Sequence, residues 1–340
     1  MSFPQVEVLA QGQGGKLRSW LFKIKEGFSR NLDRVLPEPH ASFMAGLILG
    51  ERKSFSAELN RELQTTGTTH LVALSGYNIT IVGDALLKFL MLLFVPFSWA
   101  FVVAVSGIIL FTAATGAAAS VVRAAIMGIL VLVARREGRR YRIRNALALA
   151  AALMLLANPK VLRFDIGFQL SFLATLGLVY AAPVLNQYFQ KLRLQFIPIL
   201  REAKLIREDR TAPRTARGKG SLLGGIFTST LAAQILVLPL LVYRFGLVSI
   251  ISPAANLAVL PFIPATMFFG FLAGGLGFAA DFLSRLAGGV SWLFLGYELS
   301  AIKFFAALPL AAIKIPGLAP AVIGVIYSAI GYWLIKNSSR

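Results

Sequence analysis

Residues 98–134 read SWAFVVAVSGIILFTAATGAAASVVRAAIMGILVLVA, and Arg123 is the one charged side chain in the run. A helix rises ~1.5 Å per residue and the hydrocarbon layer of a bilayer is ~30 Å thick, so about 20 apolar residues make one crossing. We read the run as two spans, 98–115 and 118–134. Working outward by the same rule adds a span at 70–95 before it. Further spans follow at 145–158, 166–186, 222–243, 254–279, 286–308 and 317–336. The span at 145–158 is short for a crossing and is open to a re-entrant or tilted reading.

The composition agrees with this local reading. Of 340 residues, 57% are apolar and 14% charged, with mean hydropathy +0.72, whereas an ordinary soluble domain carries roughly 25% charged residues. A single soluble core is excluded. The expected fold class is an all-α membrane protein, a polytopic transmembrane helix bundle of about 7–10 spans, some broken or re-entrant, with an N-terminal amphipathic interfacial helix. The chain has no cysteine, which removes disulfides, thiolate metal sites and cysteine nucleophiles. No basic start followed by an apolar run and a small-residue cleavage site precedes residue 16, so insertion is expected to rest on the spans themselves.

The 34 Lys+Arg against 15 Asp+Glu give a net charge of +19, and the charges are clustered. Six arginines, Arg135, Arg136, Arg139, Arg140, Arg142 and Arg144, crowd one connection, and nine basic residues crowd 187–221. Short loops rich in Lys and Arg stay in the cytoplasm. Two spans separate the clusters, so the parity of the chain agrees with placing both connections, 135–144 and 187–221, inside. Before the spans, residues 16–36 repeat apolar side chains at helical spacing (Leu17, Trp20, Leu21, Ile24, Phe28, Leu32, Val35) opposite Arg18, Lys25, Arg30 and Arg34. That pattern fits a helix in the membrane interface, or equally one packed on the spans with its basic face solvated. Pro37 and Pro39 end it. A short apolar stretch, 41–49, precedes a polar helix that starts at a Ser56 cap and ends at Gly67. Residues 1–15 read as a short extended piece with a Gly-rich linker, 16–66 as interfacial amphipathic helices and 67–340 as the transmembrane domain.

Polar groups in hydrocarbon are costly, so those inside spans mark an interior, a partner or a water-filled path. The set is His70, Ser75, Tyr77, Asn78, Asp84, Lys88, Arg123, Gln169, Gln234, Asn256 and Glu298, with Asp165 and Arg244 near span ends. Asp84 and Lys88 stand one turn apart and can neutralise each other. Arg123 has no acid within a turn on its own helix, so its partner is Asp165, Glu298 or a passing anion. Pro183, Pro239, Pro253, Pro261 and Pro264 interrupt the tracts, as do Gly76 and Gly83, and broken helices often line transport sites. The spacing Gly270 to Gly274 suits close helix contact, a structural role. Enzyme templates fit poorly. His70 and Ser75 are ~140° apart around a continuous helix, so a serine–histidine dyad would need a broken one. The sequence has no zinc-protease or phosphate-loop motif, and neither a metal nor a cofactor is expected.

Segment 67–82, GTTHLVALSGYNITIV, resembles the hallmark of the ComEC-type competence proteins, bacterial membrane channels that import transforming DNA as a single strand. Thr115-Gly116 with 120–124 (SVVRA) resembles the family's second block. Asn158-Pro159 with 167–172 (GFQLSF) resembles the third. Residues 232–246, from Ala232-Ala233-Gln234 to Tyr243-Arg244-Phe245-Gly246, resemble the fourth and lead into Pro253, Asn256 and Pro261. Two departures stand out: Tyr77 and Asn78 occupy places where the family has a hydrophobic residue and a histidine, and the OB-like and metallo-β-lactamase-like domains of full-length members are not seen, residues 1–15 being a remnant of the former at most. The resemblance implies the channel domain alone, in the bacterial plasma (inner) membrane, with a polar passage walled by His70, Ser75, Asn78, Arg123, Gln169, Gln234 and Asn256 and no covalent chemistry. Implied partners are single-stranded DNA, membrane lipids, a DNA receptor outside, a cytoplasmic ATPase or helicase motor, a separate nuclease and further copies of the chain. A small-solute secondary transporter, and an intramembrane serine hydrolase using Ser75, are the competing readings.

Overall fold

The protein is described by a computed structural model that covers residues 16–51, 55–72, 79, 83, 86–87, 89–202, 222–315 and 319–338. Helices α1 (Lys16–Val35), α2 (His40–Leu49), α3 (Ala57–Thr65) and the single turn α4 (Thr69–Val72) come first. Helices α5 (Phe97–Ala114), α6 (Ala119–Arg136), α7 (Ile143–Ala157) and the short α8 (Val161–Phe164) follow. Next, α9 (Ile166–Leu176) passes through a π-helical turn (Gly177–Ala181) into α10 (Ala182–Glu202) without a break. The chain resumes with α11 (Leu222–Phe245), α12 (Ser252–Val259), α13 (Ile263–Leu276), α14 (Asp281–Ala306) and α15 (Pro320–Ser338). Two three-residue strands, β1 (Leu247–Ser249) and β2 (Ala312–Lys314), pair antiparallel and tie the end of α11 to the end of α14. The expected all-α polytopic bundle is what the chain forms.

Among the described residues, Phe97–Ala114, Ile166–Leu192 and Gly224–Phe245 are long and apolar enough to cross a bilayer, and the pair α12 and α13 makes a fourth span if taken together. The sequence reading counts 254–279 as one span with prolines interrupting it, and the structure shows where the break falls. α12 and α13 meet at an elbow of 51°, because Pro261 at the break has no N–H for the ladder and Pro253 and Pro264 each sit in a first helical turn, where proline is tolerated. The loop expected from residue 187 is corrected, since α10 runs to Glu202. A basic cluster marks which side of the membrane a segment lies on, while Lys, Arg, Gln and Leu are good helix formers and extend the helix past it. α7 is only 15 residues long, in keeping with its reading as a marginal crossing. Twelve of the 26 residues of the expected span 70–95, among them 73–78, lie outside the described residues.

The largest core gathers around α2, a helix apolar on every face, with Phe43, Met44, Leu47 and Ile48 fully buried and the helix packed against α1, α4, α13 and α14. A helix that is hydrophobic all round has to be sheathed on all sides. Gly270 and Gly274 make this possible, because a Cβ at Gly270 would collide with the Met44 thioether and one at Gly274 with the Phe28 ring. The structural role read from their spacing holds. α1 packs on the bundle, the second of the two alternatives read from its sequence: Leu21 and Leu32 are buried, Asn31 Nδ2 donates to the Gly274 carbonyl at 3.0 Å, and Lys25 pairs with Glu51 at 2.9 Å, while Trp20, Phe22 and Ile24 are exposed. Smaller cores join α5 to α6, α6 and α7 to α9, and the π turn to α11 and α15.

Candidate functional site

The sequence blocks quoted above meet in two polar places. In the first, α6 lies against α9, which carries the third block. Arg123, 9% exposed on α6, donates through Nη1 to the Thr175 hydroxyl of α9. Thr175 in turn donates to the Ser171 carbonyl at 2.9 Å. The guanidinium lies 5.9 Å from the centre of the Phe172 ring and 3.9 Å from the Met127 sulfur. Its Nε has no hydrogen-bond partner.

Neither acid expected beside Arg123 is its partner. Asp165 caps α9, accepting from the Phe168 backbone N–H at 2.9 Å, a role that side chain fills at many helix starts. Glu298 accepts from the Thr266 hydroxyl at 2.5 Å. Among the described residues Arg123 therefore forms no ion pair. Arg123 lies in the second turn of α6, so the ~2.5–3.5 kcal/mol that an arginine at the centre of a membrane helix costs on translocon scales is an upper bound there, and a hydrogen bond to a charged group returns ~1.5–3 kcal/mol. One threonine hydroxyl and an aromatic face are therefore enough to hold the cation, with donor capacity left over.

Cations and rings recur on the same side. The Arg144 guanidinium is 5.0 Å from the Tyr180 ring centre, joining the start of α7 to the π turn. Tyr141, just before α7, has its phenol pushed above its ordinary value by burial and pulled back by the charge of Arg123, which places the two within electrostatic reach. Gln169, one turn above Phe172, donates to the Leu162 and Arg163 carbonyls at 2.8 and 3.1 Å, and its Oε1 is buried without a partner. It fastens the turn of α8 to α9.

The second place joins the first block to the segment after the fourth. Gly67 has φ +68°, a conformation that suits glycine, and a Cβ there would stand 2.7 Å from the Ser252 hydroxyl. Thr66 and Thr68, both fully buried, share a hydroxyl hydrogen bond of 2.7 Å. His70 is exposed on α4, with Nδ1 3.1 Å from the Gly67 carbonyl. Asn256 is buried, donates from Nδ2 to Ser252 Oγ at 3.3 Å, and leaves Oδ1 without a partner. Nearby, α12 and α13 both pack on α14, which presents Glu298, 0% exposed, with Oε2 without a partner.

Of the expected wall residues, Ser75 and Asn78 lie outside the described residues, as do Tyr77 and the Asp84–Lys88 pair. Gln234 is half-buried on α11, two residues beyond Ala232, whose carbonyl packs on Gly177. The structure brings Arg123 to the helix of Gln169, and Asn256 to the segment of Gly67 and His70. It does not join the two groups directly, because α6 packs on α5, α7 and α9 whereas α12 packs on α11 and α14. Sequence reasoning missed Thr175, Thr266 and Ser252. Threonine and serine occur throughout the spans, and nothing local distinguishes the ones that meet a charge 52 or 32 residues away. Among the described residues no group of three or more His, Cys, Asp and Glu is placed to hold a metal ion.

A family model described as competence protein matches residues 47–340. ComE operon protein 3 of Bacillus subtilis (strain 168) is 28% identical over 242 residues, 71% of this chain and 27% of that protein. The chain thus spans less than a third of that relative's length. No solved structure matches.

Proposed function

The chain belongs to the competence protein family and is a multi-pass protein of the bacterial inner membrane; from that premise we propose that it walls a passage through which a single strand of transforming DNA enters the cytoplasm. The observation that carries the reading is Arg123: a buried guanidinium in an otherwise apolar stretch of helix, with a hydroxyl, a thioether and a ring around it and an N–H still without a partner. Guanidinium presents five donors in a planar fork matched to phosphate, and a strand offers one phosphate per nucleotide. Rings beside cations suit the same ligand, since bases stack on aromatic faces while the backbone follows positive charge.

The basic connections then face the exit, where they meet emerging DNA, anionic lipid or a motor. A receptor outside, an ATPase or helicase motor inside and a nuclease are proposed as separate partners, and self-association of the chain belongs to the same proposal. The protein does no covalent chemistry in this reading. Purified chain incubated with duplex and single-stranded DNA and Mg²⁺, Mn²⁺ or Zn²⁺ should leave both intact.

The test of the passage is uptake of a labelled single strand by vesicles containing the purified chain, compared with Arg123→Ala at equal protein content. Uptake that falls with the alanine variant, together with strand affinity that declines as salt rises, supports the reading. Equal uptake in both removes its main support. A proton- or ion-coupled solute carrier is the second reading, favoured by the 51° elbow beside buried Glu298 and Asn256. It predicts vesicles that move small solutes but no strand. Single cysteines at Gly138 and Gly218 should escape an impermeant thiol reagent in intact cells, since both connections are assigned to the cytoplasm.

A further inference from the structure

The π turn at Gly177–Ala181 changes which side chains share a face. Phe172 and Tyr180 are eight residues apart, and along an unbroken α-helix at ~100° per residue they would diverge by ~80°. One residue inserted by a π turn restores the geometry of a seven-residue spacing, within ~20° of alignment. The two rings accordingly meet cations from the two neighbouring helices, Phe172 under Arg123 of α6 and Tyr180 under Arg144 of α7. The turn is held in place by Gly177, where any Cβ would collide with the Ala232 carbonyl of α11. Wide turns of this kind cost hydrogen-bond quality and recur at functional sites.

We propose that Arg144 and Tyr180 form a second contact for the strand, one step further toward the cytoplasm than Arg123 and Phe172, so that phosphate passes from one guanidinium to the next while bases rest on the paired rings. The inference rests on the strand-passage reading above. Arg136 also covers a ring, Phe101 at 4.8 Å, but that pair lies between α5 and α6, away from α9. The two contacts differ in exposure: Arg123 is buried and Arg144 exposed, as expected for a midway site and an exit site.

The full chain in bacterial membranes, carrying a photo-crosslinking phenylalanine analogue in place of Tyr180 and separately in place of Leu178, an exposed residue of the same turn, is irradiated with labelled oligothymidylate during uptake. The expected result is crosslinking at 180 several times that at 178. In parallel, Tyr180→Ala should lower uptake about tenfold and Tyr180→Phe by less than about twofold, as for a stacking surface. Equal crosslinking at both positions, or full uptake with Tyr180→Ala while Arg123→Ala still blocks it, overturns the second contact and leaves the passage standing. Full uptake with Arg123→Ala overturns the passage itself. If Tyr180→Ala fails to accumulate in the membrane, the crosslinking pair decides, since each carries an aromatic ring at 180.

Discussion

Arg123 and Glu298 are both buried, both hydrogen-bonded to a threonine hydroxyl and both without an ion-pair partner among the described residues, yet the regions around them are unlike. Arg123 sits where three helices with modest cores meet, beside aromatic rings, and a second cation lies beyond it. Glu298 sits in the wall of the largest core, fully enclosed, beneath the elbow of α12 and α13. The hydroxyl plays opposite parts. Thr175 accepts from the guanidinium and donates its own O–H to the Ser171 carbonyl, and the guanidinium keeps an Nε–H with no partner. Thr266 donates to one oxygen of a carboxyl that is fully enclosed, and the other oxygen, Oε2, is left without a partner. Both charges keep an atom without a partner, so the contrast between them lies in their neighbours: rings and a second cation around Arg123, an enclosing apolar core around Glu298.

The sharpest way to break the comparison is to remove each charge. Arg123→Ala should reduce transformation on the order of a hundredfold at normal membrane abundance, the value of a lost charge-assisted hydrogen bond of ~2–3 kcal/mol. Arg123→Lys should restore only part, because a point charge lacks the planar fork. Transformation and immunoblots of membrane fractions give both readings, and loss of abundance with Arg123→Ala would make the arginine a structural element like Glu298.

Removing the hydroxyls comes next. Thr266→Val leaves the enclosed carboxyl with no donor and should cost ~1–3 kcal/mol of stability, seen as a lower melting temperature of the detergent-purified protein. Thr175→Val should cost less stability but lower uptake, because the guanidinium keeps its ring and loses its alignment. A larger stability loss at Thr175 than at Thr266 would reverse the assignment of roles. Gly177→Ala, which drives a methyl into the Ala232 carbonyl, should lower stability by ~1–3 kcal/mol and uptake with it, since the π turn sets the register of Tyr180. The smallest effect is expected from Glu298→Gln: the amide oxygen still accepts from Thr266, and uptake should remain within about twofold. A strong loss of uptake with Glu298→Gln would instead favour the ion-coupled carrier.

The same contrast explains what the sequence could tell. Charge clusters and apolar runs are one-dimensional signals, and they placed the helices around 98–134, 222–243 and 286–308 close to their positions in the structure. The prolines at 253, 261 and 264 announced an interruption, but only the packing on α14 decides that it bends the pair by 51°. Arg123 was conspicuous because a lone cation in an apolar tract breaks a strong rule. Thr175 was not, because a threonine in a span breaks none. The π turn is equally silent: 177–181, GLVYA, reads as ordinary helix, and the extra residue is forced by Gly177 meeting a backbone 55 residues away. The sequence marks 41–49 only as a short apolar stretch before a polar helix, and its place at the centre of the main core follows from neighbours far along the chain.

That core also fixes where the folding unit begins. The family match starts at residue 47, but Leu32, Leu36, Phe43 and Met44 are among the most deeply enclosed side chains, and the grooves at Gly270 and Gly274 are filled by Met44 and Phe28. A fragment cut at the family boundary would leave those grooves empty and expose one side of α13 and α14, at a cost of several kcal/mol for each large core side chain removed. The minimal piece for expression and reconstitution therefore starts at or before Lys16, and a preparation trimmed to residue 47 would report on a damaged helix bundle.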